Sequence, residues 1–222
     1  MKRKVILLCL LVLPLTLYIY FSMVKHNSLY LPTITENVAE APAGKTLDGK
    51  PVVLEGKISI VGFLGRDIRK KNETLFNINQ KINNKYKDFT DFQIVMIAAD
   101  GAQDEVKQVA AELKTMADIS NWKFIFAQPE ATRAFYSSLK VREPLDADLS
   151  TYNIFIVDKA LSLRGRKGKN KETGKEEYKD SYNSFSAAEL HNEMTDDVKI
   201  VLREYRLALR KNDTLKGVKR KI

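Results

Sequence analysis

Beyond its ninth residue this chain contains no cysteine, and Cys9 lies inside a long apolar stretch near the amino terminus. The rest of the protein therefore has no structural disulfide, no dithiol redox centre and no thiolate metal site. In that setting Cys9 reads as a small apolar filler. Histidine is nearly as scarce, with His26 and His191 far apart in sequence. No internal repeat is visible. The net charge of +9 suggests a nucleic-acid binder until it is located along the chain. Lys2, Arg3 and Lys4 supply three positive charges, the segment from Arg203 onward a net six, and the remainder sums to zero. The ends are basic; the body is not.

A hydrophobic share of 44% is enough to fill a core, and 222 residues suit one anchor and one domain. Val5 to Ser22 is uncharged over 18 residues, near the lower limit for spanning a bilayer. Basic residues 2–4 against a lone Lys25 place the amino terminus in the cytoplasm. A cleaved signal peptide is the competing reading. The stretch from Phe21 to Lys25 offers no small-x-small cleavage site, which favours an uncleaved anchor. A lipoprotein is disfavoured because Cys9 follows Leu7-Leu8 too early.

The sequence divides into a basic cytoplasmic start (1–4), a transmembrane signal anchor (5–23), a polar spacer with Pro32 and Pro42 (24–43), a domain (44–211) and a basic tail (212–222). In the domain, Asp48-Gly49 between short apolar stretches predicts a hairpin over Lys45 to Leu54. Ile58–Leu64, interrupted only by Gly62, reads as the central strand, buried on both faces. A helix with Leu75, Ile78, Ile82 and Tyr86 on one face follows. A second buried strand, Phe92–Ala98, leads to a helix capped by Asp104 with Val106, Val109, Ala110, Leu113 and Met116 on its apolar face. Trp122–Phe126 is a short strand, and Pro129 opens a helix anchored by Phe135, Tyr136 and Leu139.

Tyr152–Val157 and Leu161–Leu163 flank a turn as an antiparallel hairpin. Residues 164–181 read as an exposed basic loop or hairpin extension. Ser186 and Glu189 form a capping box for a carboxyl-terminal helix over 186–211, striped by Leu190, Met194, Val198, Leu202, Tyr205 and Leu209 and ended by Lys211-Asn212. This order of elements predicts a thioredoxin-like α/β sandwich, a central mixed sheet with helices on both faces.

The stretches Leu47-Asp48-Gly49-Lys50, Ile58–Phe63, Ile97-Ala98-Ala99-Asp100, Asn121-Trp122-Lys123-Phe124 and Ser150 to Asp158, with Arg164-Gly165 after them, resemble the SCO/SenC family. These are membrane-anchored thioredoxin-like proteins tied to copper delivery for cytochrome oxidase. The likeness covers about Lys45 to Arg166 and extends to the anchor. It departs from the family where the chemistry sits, and at Lys159-Ala160, where a glycine after Asp158 is missing. The family has Cys-x-x-x-Cys after the central strand; the matching window here is Asp67 to Lys71. The family's copper-binding His precedes Ser-Thr; here Leu149 precedes Ser150-Thr151. Copper binding and thiol–disulfide exchange lose their ligands and nucleophile together.

Other candidates are weaker. His191 and Met194, three apart on a helix, could share a face and meet soft copper. His26 has no partner nearby and reads as solvated. Asp67, Asp100 and Asp158 stand near strand ends, where carboxylates bind cations or simply terminate strands. Arg66, Arg69, Lys70 and Lys71 make a basic turn at a helix start, either an anion dock or a solvated turn. The 164–175 loop and the 216–221 tail could meet anionic lipid or an acidic partner. Tyr178, Tyr182 and Phe185 have no spacing that suggests base stacking, and an extracytoplasmic location argues against nucleic acid.

The sequence thus assigns no catalytic, cofactor-binding or metal-binding residue. It points to a single-pass protein of a bacterial inner membrane with its domain in the periplasm. The expected role is binding or assembly, with a protein partner, beside respiratory-complex biogenesis and without redox or copper chemistry. A metal carrier or enzyme with a non-standard site, and a structural envelope protein, are the alternatives.

Overall fold

A computed structural model describes residues 10, 12–16, 30–169, 174 and 176–215. Its centre is an eight-stranded mixed sheet. The long strands are β3 (Ile58–Gly65), β4 (Phe92–Ala99), β5 (Trp122–Ala127) and β6 (Ser150–Val157). β3, β4 and β5 run parallel and β6 is antiparallel to β3, so β3 has neighbours on both sides. The short strands β1 (Thr33–Thr35), β2 (Gly44–Thr46), β7 (Leu163–Arg164) and β10 (Tyr182–Asn183) complete the sheet. β8 (Arg166–Lys169) and β9 (Glu176–Lys179) form a separate antiparallel hairpin.

Alternate residues of the long strands enter two different cores. Ile58, Ile60 and Leu64 join Ile94, Met96, Phe124, Phe126 and Ile156 on one face. Val61, Phe63, Val95, Ile97, Ile125, Phe155 and Val157 line the other. This period of two with apolar residues on both sides explains the unbroken hydrophobic runs. Gly62 interrupts β3 because a Cβ there would lie 2.7 Å from the Met96 sulfur.

Three helices cover the first face. α1 spans 72–86 with a π-turn at Asn79–Asn83, α2 is Gln103–Met116, and α4 spans 187–215 with a π-turn at Leu190–Met194. α3 (Pro129–Leu139) covers the other face through Phe135, Tyr136 and Leu139. This is the expected thioredoxin-like arrangement, and the four expected long strands and the helices between and after them are present. No described helix is long and apolar enough to cross a membrane. The expected anchor (5–23) lies mostly, and the 216–221 tail wholly, outside the described residues.

Several local expectations are corrected. The Asp48-Gly49 turn does not close a hairpin: β2 pairs with β5 at the sheet edge, and residues 51–54 form no strand. Part of the expected spacer belongs to the domain, since β1 pairs with β7 and Leu31 and Val38 are buried. Asp104 does not cap α2; Ala102 holds that position, and Met116 is 54% exposed. Ser186 does cap its helix, accepting from the Glu189 N–H, but Glu189 reaches back to the N–H of Asn183. That helix continues past Lys211-Asn212 to Leu215.

The largest correction concerns charge. Arg164 is buried, bonded to Asp158 at 2.8 Å and Glu204 at 2.5 Å. Arg166 pairs with Asp197, and Lys179 with Glu189 and Glu193. Arg164, Arg166 and Lys179 are thus paired with carboxylates of α4 and are not free loop charges.

Candidate functional site

The turn after β3 lies at the carboxyl edge of the parallel strands, where open α/β sheets place ligands. Gly65 makes the turn at φ +69°, and a Cβ there would sit 2.7 Å from the Asp148 carbonyl and 2.8 Å from the Ser150 Cβ. Only glycine tolerates both the conformation and this approach. The 148–150 loop is thereby seated against the turn. The Asp67–Lys71 window and Leu149, separated by 78 residues or more, meet at one corner of the fold.

Inside that window the residues divide sharply. Arg66, Arg69 and Lys70 are exposed, and Asp67 pairs with Lys70 at 3.2 Å, which holds its carboxyl below the usual range. Ile68 is fully buried and accepts the Lys71 N–H at 2.9 Å. Lys71 is only 4% exposed, with Nζ 3.3 Å from the centre of the Tyr152 ring. Burial pushes its ammonium pKa down, and Asp146 and Asp148 oppose that shift. A cation against an aromatic face keeps part of its electrostatic stabilisation after leaving water. The window is thus closed at its carboxyl end, where Lys71 is sealed beneath a tyrosine.

Leu149 is likewise packed, 9% exposed, at φ +65° in a turn where its N–H donates to the Asp146 carbonyl at 2.9 Å. An apolar side chain there offers no ligand to a metal. Above Lys71 the surface is aromatic. Tyr152 and Phe185 are 39% and 53% exposed and meet edge to face at 5.7 Å. The Asn77 amide, donating to the carbonyls of Ser184 and Phe185, fixes the turn that presents Phe185. The corner therefore exposes two held aromatic rings, a side-chain type enriched in protein interfaces.

The remaining candidates do not assemble. Asp100 shares the carboxyl edge but is engaged by Gln103, Gln128 and Lys45, and the Gln103 and Lys45 contacts hold its pKa low. Asp158 follows β6, antiparallel to β3, and so stands at the opposite edge, bonded to Arg164. His191 points to solvent while Met194 is fully buried, so the π-turn sends the pair apart. Sequence reasoning missed Tyr152 as the cover of Lys71, and Asp146 and Asp148 as the charges that favour its ammonium. Their one signal was an Asp-x-Asp just before the Ser150-Thr151 landmark.

No protein-family model matches the sequence, and no curated relative is found by sequence. Solved structures do match. A candidate electron transport protein from Aquifex aeolicus VF5 superposes with a TM-score of 0.54 at 14% identity, over 76% of this chain and 98% of that one. BsSco, a member of the Sco family of cytochrome c oxidase assembly proteins, gives 0.53 at 17% identity over 76% and 95%. At such identities the likeness concerns architecture. The chain has the thioredoxin-like fold in the form seen in Sco proteins.

Proposed function

We propose that this protein is anchored in a bacterial inner membrane and uses its periplasmic Sco-like domain for recognition, not for thiol redox or copper chemistry. The observation that carries this reading is Lys71, buried under Tyr152 at the position that a thiolate would need. The partner surface is the Tyr152–Phe185 pair, together with the exposed Arg66, Arg69 and Lys70 of the turn that leads to Lys71. An assembly role near respiratory complexes is supported by the fold shared with BsSco. Anchoring is supported by Leu10, Val12, Leu13 and Leu15, which are helical and exposed with no protein surface over them among the described residues.

Two measurements test the proposal. Anaerobic Cu(I) titration against a chelator, on the detergent-solubilised Cys9→Ser chain, should show binding no tighter than to an unrelated thiol-free protein. Stoichiometric sub-micromolar binding would restore the metal carrier. A photo-crosslinker at Tyr152 in living cells should capture a subunit of a respiratory complex, and capture should fall in Phe185→Ala. Crosslinks only to unrelated envelope proteins would remove the assembly role.

A further inference from the structure

A second surface, on α4, has no part in that corner. Tyr86, Phe89, Leu202 and Leu207 wall an apolar groove of about 440 Å³ between α4 and the end of α1. Its rim is cationic: Lys199, Arg203 and Arg206 stand at i, i+4 and i+7, along one side of the helix, and all three are exposed. Arg206 lies over the Phe89 ring at 5.6 Å, its stem along the apolar wall and its charge outward. Among the described residues none of the three is in an ion pair. Arg210 continues the spacing in sequence, and four more cations follow after residue 215. Asp196 precedes the stripe by one turn, and Glu204, on another side of α4, is committed to Arg164.

The point at which the chain joins the domain decides what meets this surface. The Leu31 N–H donates to Glu204 at 2.7 Å, next to Arg203, and the Leu31 carbonyl accepts from Arg164. Between the apolar stretch ending at Ser22 and Leu31 there are eight residues. Fully extended, they span at most about 28 Å. If residues 5–23 are the anchor, as proposed above, α4 is held within that distance of the bilayer. The surface concentration of the groove at the headgroups is then high without any further partner.

We infer that the Lys199–Arg203–Arg206 face of α4 and its apolar groove dock onto anionic phospholipid of the membrane that carries the anchor. The cations meet the headgroup phosphates, and Leu202, Leu207 and Phe89 enter the acyl boundary. Docking lays α4 against the bilayer and fixes which side of the domain faces the periplasm.

The test uses the full chain with Cys9→Ser and a fluorophore on Leu207→Cys, or on Glu130→Cys of α3 as the control. The chain is mixed with vesicles of phosphatidylcholine, with or without phosphatidylglycerol, containing spin-labelled lipid. Quenching of the Leu207 label is expected only with phosphatidylglycerol, with the Glu130 label unaffected, and high salt should reverse it. Each neutralised cation should lower the docked-to-free ratio about fivefold. Lys199→Gln, Arg203→Gln and Arg206→Gln together should lower it about a hundredfold.

Equal quenching on neutral vesicles, or quenching unchanged in the triple variant, would overturn the proposal. So would a signal driven by added oleate but not by phosphatidylglycerol, which would assign the groove to a single fatty acid. Flotation with neutral vesicles reports the anchor separately. A chain that floats without phosphatidylglycerol-dependent quenching keeps its anchor and loses the docking. One that fails to float but is quenched on anionic vesicles does the reverse.

Discussion

Replacing Arg164 with leucine should be among the most damaging single changes in the domain. Its guanidinium donates to Asp158 at 2.8 Å, to Glu204 at 2.5 Å and, through Nε, to the Leu31 carbonyl at 2.9 Å. One side chain thus ties β7 to the turn after β6, to α4 and to the segment before β1. Without it, Asp158 keeps the N–H groups of Ala160 and Ser162, and Glu204 keeps that of Leu31. Both carboxylates lose their counter-charge at sites that are 3% and 11% exposed. Removing one partner of a buried ionic cluster typically costs about 3–5 kcal/mol. With a urea m-value of about 2 kcal/mol/M, the midpoint should fall by roughly 1.5–2.5 M.

The assay is equilibrium unfolding of the solubilised full chain, followed by fluorescence of Trp122, the single tryptophan and a buried one. Adding Asp158→Asn and Glu204→Gln to Arg164→Leu should recover at least half the loss, because the stranded charges are then gone. A loss under about 0.5 kcal/mol, the range of surface substitutions, would refute the reasoning. So would a triple variant no more stable than Arg164→Leu, which would place the cost in the lost grip on the Leu31 carbonyl.

The other predictions are shorter. Lys71 has a folded pKa below its unfolded value of about 10.4, so the folded state binds fewer protons between the two and stability rises with pH across that window. Lys71→Met should therefore gain most near neutrality and lose that advantage toward pH 10; parallel pH profiles for the two chains would contradict the burial. Leu190→Ala, at a fully buried position, should cost about 2–5 kcal/mol, and Leu202→Ala, half-buried on the groove wall, clearly less. Equal costs in urea unfolding would show that the groove is closed in solution. Mass spectrometry of the native protein should find the amino terminus before residue 23; a mature start between Met23 and Asn37 would show cleavage.

Much of the framework can be read in the chain. Ile58–Leu64 and Phe92–Ala98 are short apolar runs of buried-strand length, Trp122–Phe126 is a short aromatic-rich strand, and Pro129 and Ser186 mark helix starts by local chemistry. The absence of thiols after Cys9 is equally a property of the sequence, and no folding alters it. Tertiary structure decided the rest. β1 and β2 are three residues each and carry no periodicity; they are strands because the edges β7 and β5 supply hydrogen bonds to them. Lys71 reads as one more charge in a basic turn, yet it is buried, with its ammonium against the Tyr152 ring from another part of the chain. Arg164 counts as loop charge until β7 places it between Asp158 and Glu204. Local patterns record the preference of a segment for helix or strand and for one face. The pairing of charges and the covering of side chains depend on partners brought together only when the sheet forms, and no local pattern encodes them.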